Sequence, residues 1–346
     1  WILLQPRDYL SSYLLYSLIL LAVFGIIGAS VMGAASHLDI PAFTGFVAKN
    51  TAIDPATGQA MVENGKTVIN KAAQGGYLFP ALFVTIACGA ISGFHSIVAS
   101  GTTSKQLDKE NQAQAIGYGS MLLECLLAII SLIAVGFVWS KYQAGGYASP
   151  TAVFADGLSQ MVATVPGFAK AQGIAYALLI LAVSVFCLTS LDTATRLARY
   201  LFQEFWTPDS GQEYPAWKKF LADKYIATII TVILGVALGM NGYTLIWPLF
   251  GAANQLLAVL ALLTVCVWLR NIGKNNKMFY VPMIFMFAVT LTSLLITILL
   301  KIAAIKDGVN LFGSVLQLIL ATSLFVLALF LSVRGVTALL LTSQKR

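Results

Sequence analysis

Six long stretches of this sequence contain no charged side chain: Tyr9–Ser36, Ala72–Ser104, Ala171–Leu191, Tyr225–Leu269, Met278–Leu300 and Gly308–Val333. A helix needs about 20 apolar residues to cross the hydrocarbon of a bilayer. Tyr225–Leu269 is too long for one crossing, and the run Gly239-Met240-Asn241-Gly242-Tyr243-Thr244 divides it with turn-forming residues. One further stretch, Ala115–Ser140, is interrupted by a single acid, Glu124. The pattern predicts eight spans, numbered here first to eighth in chain order. Composition leaves little else: 58% of residues are apolar and 10% charged, against roughly 25% charged in a soluble domain. So few charges cannot cover a soluble surface. Cytosolic enzymes, secreted modules and disordered scaffolds are therefore excluded.

The net charge of +7 does not point to nucleic acid, because the basic residues sit between the apolar blocks. With the N-terminus inside, the inner segments hold 14 Lys and Arg and the outer segments 7. The positive-inside rule then puts both ends of the chain in the cytoplasm. The polar segments 37–76 and 141–172 fall outside, and Leu38–Lys71, with Pro41 and Asp54-Pro55, reads as an external loop without a core. Trp139, Trp247 and Trp268, near span ends, fit an aromatic belt. The chain opens Trp1-Ile2-Leu3-Leu4, an apolar run already under way, so it is expected to be the later part of a longer protein. Cys88, Cys125, Cys187 and Cys266 lie in apolar stretches without metal or disulfide spacing and read as small buried hydrophobes. His37 reads as a loop histidine. No P-loop, GxSxG or HExxH is present. An enzyme is not expected, and no cofactor or metal is implied.

The informative residues are polar ones at depth, which are costly in hydrocarbon unless paired or turned toward a cavity. Counting from Tyr77 at ~1.5 Å per residue places Gly89 about 18 Å in, near mid-membrane. Gly89, Ser92, Gly93, Phe94, His95 and Ser96 there predict either a helix that unwinds to free peptide groups for a solute or a close-packed GxxxG face. Glu124 lies about 14 Å deep, with Ser120 and Ser131 on its helical face. It is expected to be a protonated or paired acid, either a proton carrier or a structural one. Asn254 and Gln255 share mid-depth in the sixth span, which Pro248 and Gly251 are expected to make irregular. Interhelical bonding is the plainer role for the pair. Asp192 lies at the inner edge, where Arg196 at i+4 suits a helix-end salt bridge. An inner gate or cation site with Thr189 is the other reading.

Several of these runs resemble the carbon starvation protein A family. They are Gln5-Pro6-Arg7-Asp8-Tyr9-Leu10, Thr85 through His95 continuing to Ser100-Gly101-Thr102-Thr103, Ile116-Gly117-Tyr118-Gly119 with Met121-Leu122-Leu123-Glu124, Asp192 with Thr195-Arg196 and Ala198-Arg199, and Trp247-Pro248-Leu249-Phe250-Gly251 with Ala253-Asn254-Gln255. The resemblance runs from Trp1 to about Val267; the last two spans match only in being apolar. It implies a transporter of the bacterial or archaeal inner membrane, from a family associated with uptake of peptides and, by proton symport, of pyruvate. It also implies kinship with the amino acid–polyamine–cation superfamily, built on two inverted five-helix repeats. Residues 1–269 would then hold the second half of that core and 270–346 two additional helices. The second span would be the broken helix of its repeat. Family members carry a further N-terminal region with its own broken helix. A missing N-terminal half or a companion subunit is therefore expected.

These readings converge on a secondary transporter for small carboxylates or short peptides. Gly89, Ser92, Gly93, Phe94, His95, Ser96, Asn254 and Gln255 would line the substrate side, and Glu124, His95, Asp192 and Thr189 would couple ions. Lipid and a small-molecule substrate are the expected partners, with no nucleic acid. A membrane scaffold or sensing subunit, which needs straight spans and no central cavity, and a cation transporter of the same superfamily are the alternatives.

Overall fold

The computed structural model describes residues 4–35, 40–43, 45–46, 62–63, 66–67, 78–147, 149–207, 215–240, 243–308 and 311–344. His37, most of the Leu38–Lys71 segment, Tyr77 and the Asn241-Gly242 turn lie outside the described residues.

Helices dominate. In chain order they are α1 (Leu4–Val31), α2 (Phe83–Ala90), α3 (Gly93–Val98), α4 (Ser104–Gln106), α5 (Gln112–Phe137), α6 (Trp139–Gln143), α7 (Pro150–Ala163), α8 (Gln172–Trp206), α9 (Ala216–Leu221), α10 (Lys224–Met240), α11 (Tyr243–Asn271), α12 (Lys277–Lys306) and α13 (Leu311–Gln344). A two-residue antiparallel ladder pairs Val62–Glu63 with Lys66–Thr67. Among the described residues, seven helical segments are long and apolar enough to cross a bilayer. The 17-residue apolar helix α10 stands where the sequence predicts the fifth of eight spans. Apart from that short ladder the described residues are built from helices, and the protein is a multi-pass membrane protein of the all-α class.

The chain forms two compact units. The first comprises residues 1–43, 55–59 and 106–198. Its core joins Leu18, Ile19 and Ala22 of α1 with Ile130 and Ala134 of α5, Ala155, Leu158 and Met161 of α7, and Leu179 of α8. The presence of α7 corrects the reading of 141–172 as a merely polar segment. Ser149 caps it by accepting from the Ala152 amide at 3.3 Å, and Pro150 stands in its first turn, where no N–H is needed. Val153, Leu158, Met161 and Val162 then bury one face. α7 comes so close to α5 that a Cβ on Gly157 would lie 2.3 Å from the Ala134 carbonyl oxygen.

The second unit comprises residues 44–54, 60–105 and 199–346. Its axis is α11, with α2, α3, α12 and α13 packed around it. Val84, Leu249, Ala252, Val289, Leu294 and Ala321 form one core cluster, and Ala87, Val259 and Met286 a second. α11 is continuous through Pro248 and Gly251, so the expected irregularity of the sixth span is not found. Pro248 falls in the second turn, where its missing N–H costs a single ladder bond near the helix end. Many Leu, Ile and Phe side chains of both units remain exposed, as suits surfaces turned to lipid or to further protein. Of the four cysteines, Cys266 is buried and Cys88 half-buried, while Cys125 and Cys187 are exposed. The latter two are not the core residues the sequence suggests, because an apolar span buries only one of its sides.

Candidate functional site

The helical segment Leu78–Gln106 breaks at its middle. α2 ends at Ala90, and Ile91 (φ −127°, ψ 92°) and Ser92 (φ −111°, ψ 123°) are extended before α3 begins. The unwinding expected of the second span is thus present. The competing small-residue face is realised in half. A Cβ on Gly93 would fall 2.4–2.6 Å from Leu257 Cβ, Asn254 O and Ala258 N, whereas Gly89 has open space around it. Gly93 is where α3 meets α11, and Gly89 and Ala90 are exposed at the end of α2.

Asn254 of α11 closes the break. The Phe94 N–H, which in an unbroken helix would go to Ala90 O, donates to Asn254 Oδ1 at 2.7 Å. That bond fixes the amide's orientation, since only the oxygen can accept it. Nδ2 then donates to Ser92 Oγ at 3.1 Å and to Cys88 Sγ. Ser92 also caps α3, accepting from the His95 amide at 3.4 Å. Ser96 Oγ donates to Gly93 O at 2.6 Å. The His95 side chain is exposed. Ser92, Gly93, Phe94 and Asn254 are therefore brought together, with Cys88 added, which sequence reasoning did not single out. Its signal was position, one turn before Ser92 on the same helical segment.

Gln255, next to Asn254, is fully buried, and neither amide atom has a hydrogen-bond partner among the described residues. Leaving one such group unsatisfied costs about 1–3 kcal/mol.

The other predicted residues belong to the first unit. Glu124 is exposed on α5. Ser120 and Ser131 do not anchor it, because their hydroxyls donate to their own helix at Ile116 O (2.6 Å) and Leu127 O (2.8 Å). Asp192 pairs with Arg196 as the i+4 spacing predicts. Thr189 donates to Phe186 O at 2.7 Å, a bond within its own helix.

The first unit also holds a polar cluster that sequence reasoning missed. Asp156 Oδ2 on α7 accepts from Lys141 Nζ (2.8 Å), Tyr147 OH (2.5 Å) and Gln160 Nε2 (2.8 Å). A recess of about 650 Å³ beside it is lined also by Ser159, Gln172 and Tyr176. Burial raises the Asp156 pKa, but the three hydrogen bonds and the Lys141 charge outweigh it, so the carboxyl titrates below its usual range. Burial, and then Asp156, push the Tyr147 hydroxyl the other way, well above its usual value. The cluster ties the segment after α5 onto α7. Its signal was a lone acid within a short, otherwise apolar stretch.

An all-helical, multi-pass membrane protein with one span unwound at mid-length, and a polar side chain from a neighbouring helix set into the gap, has the construction by which transporters present bare peptide groups to a solute. Sequence comparison gives the family. A model of carbon starvation protein CstA matches residues 1–145 and 138–293, and the chain belongs to that family. It is 31% identical, over 87% of its length, to the peptide transporter CstA of Helicobacter pylori strain J99, covering 48% of that protein. It is 32% identical, over 85% of its length, to the peptide transporter CstA of Escherichia coli K12, covering 46%. To the pyruvate/proton symporter BtsT of the same bacterium it is 30% identical over 80% of its length, covering 45%. The chain thus spans about half the length of the curated relatives it matches. No solved structure matches it.

Proposed function

We propose that this chain carries half of the translocation machinery of a secondary active transporter, a proton symporter taking up small carboxylates such as pyruvate or short peptides. The observation that carries this reading is the break at Ile91–Ser92, where a main-chain N–H leaves the helical ladder and is held by Asn254. A solute carboxylate or peptide carbonyl can take the place of Asn254 Oδ1 on the Phe94 amide. In this reading the solute side of the break is formed by Gly89, Ser92, Gly93, Ser96 and His95, with Asn254 and Gln255 behind it on α11. The functions of the peptide transporter CstA and the pyruvate/proton symporter BtsT support both substrate classes. A scaffold whose polar groups only hold helices together would have kept the second span straight.

In this reading His95 and Glu124 are the proton-coupling residues, because each is an ionisable side chain placed within a predicted span. Asp192 with Thr189 forms an inner gate or a cation site. Residues 1–269 form the second half of a five-plus-five inverted-repeat core, and 270–346 contribute two further helices. The rest of the core comes from the region that the longer relatives have, or from a companion subunit. Both ends of this chain lie on the cytoplasmic side. The test is reconstitution of the complete protein in liposomes with pyruvate or a dipeptide outside. Substrate-driven proton uptake is expected, with coupling lost in Glu124→Gln or His95→Ala. Unchanged coupling in both variants removes these two residues from the mechanism.

A further inference from the structure

The orphaned amide of Gln255 has a place on α11 that says what it is for. Gly251, Gln255 and Val259 follow one another at i, i+4 and i+8 and so form one stripe of that helix. The residues on either side of Gln255 in the stripe both meet α2: a Cβ on Gly251 would lie 3.7 Å from Thr85 Cα, and Val259 packs with Ala87. Gln255 is therefore set on the side of α11 that faces α2, the helix whose terminal carbonyls, those of Gly89 and Ala90, begin the break. Asn254, one residue earlier, meets the other side of the same break at Ser92 and Phe94. One amide of this neighbouring pair is fully engaged, and the other has no partner among the described residues. Gln255 is fully enclosed, so nothing reaches it unless α2 and α11 move apart or slide.

We infer that Gln255 is a positioning residue for a second conformation. As α2 shifts along α11, the Gln255 amide takes the terminal carbonyls of α2 while Asn254 releases the Phe94 N–H to the solute. The orphaned amide then biases the protein away from the closed arrangement seen here, and its neighbour Asn254 holds it there. This rests on the proposed function in taking the break as the solute site, but its test does not need transport.

The experiment uses the complete protein in detergent with Gln255→Met, which keeps the shape and removes both polar atoms, and Gln255→Leu as a second variant. Two quantities are read: the midpoint of thermal unfolding, and the rate of Cys88 alkylation followed by peptide mass spectrometry. Cys88 is the reporter because its half-buried sulfur accepts from Asn254 Nδ2 in this arrangement, a contact that ends when Asn254 lets go. The expected result is a midpoint raised by about 3 °C or more together with Cys88 alkylation slowed about tenfold, as the closed state gains population. A midpoint unchanged or lowered in both variants overturns the inference, since the amide is then satisfied where it stands, for example by an internal water. A raised midpoint with unchanged alkylation also overturns it, because the orphan then biases no movement. If the wild type moves no solute in liposomes, the proposed function falls while both readouts here keep their meaning. If Gln255→Met fails these readouts while Asn254 and His95 variants lose transport, the converse holds.

Discussion

At the residue scale the decisive group is a single carboxamide. Asn254 satisfies a main-chain donor 160 residues away in sequence and also serves Ser92 and Cys88. Removing it leaves the Phe94 N–H without its acceptor in a part-buried position. Asn254→Ala is expected to destabilise the protein by about 1–3 kcal/mol. Asn254→Asp keeps the acceptor for Phe94, gives up the donor to Ser92 and Cys88, and is expected to cost less. Thermal unfolding of the two variants in detergent checks the order, and equal losses would show that the Phe94 bond is not the principal one. The role of Asn254 was half legible. Its type and depth predicted interhelical bonding, but no local rule names a partner so distant in the chain. The Asp192–Arg196 pair was fully legible, because both residues lie on one helix at a spacing that fixes their proximity.

At the scale of elements, the second unit depends on how closely α3 approaches α11. Gly93 permits that approach, since a methyl there would press on backbone atoms of Asn254 and Ala258, which cannot rotate aside. Gly93→Ala is expected to cost about 1–3 kcal/mol and to loosen the break. Gly89→Ala faces open space and should be neutral, or stabilising by up to about 1 kcal/mol through helix propensity. Unfolding midpoints compare the two, and a tolerated Gly93→Ala would mean that α3 and α11 are not held at this distance. Sequence showed two glycines four apart and could not say which of them touched a neighbour. α7 was illegible for a related reason. Its 14 residues are too few for a span, and its apolar face matters only once α1 and α5 supply a core.

At the scale of the whole molecule, the seven helices long enough to cross, the shorter α10 counted as a crossing, and the distribution of Lys and Arg make a topological prediction. Lys170 and Lys274 are both exposed, in segments that the charge count puts on opposite sides. In a cell that produces the complete protein, Lys170→Cys should react with a membrane-impermeant maleimide from outside. Lys274→Cys should react only after the membrane is opened. The reverse pattern would invert the orientation and make the segment carrying Asp156 cytoplasmic. The helices follow from the hydrocarbon itself, which admits only segments that satisfy their own backbone. That is why the apolar helices could be placed from charge-free runs, although α8 continues beyond its run through Asp192 and Arg196 to Trp206.

The sequence by itself determined the membrane class, the approximate places of the apolar helices and the stretch of the second one where unwinding or close packing could occur, because those depend on solvent quality and on residues next to each other in the chain. Tertiary structure decided that α11 runs straight through Pro248, that α7 is buried, and that Asn254 is engaged while Gln255, one residue on, has no partner among the described residues. Such outcomes turn on which face of one helix meets which face of another. Adjacent residues on a helix point ~100° apart, so identical chemistry at consecutive positions can meet opposite fates once a neighbour is in place.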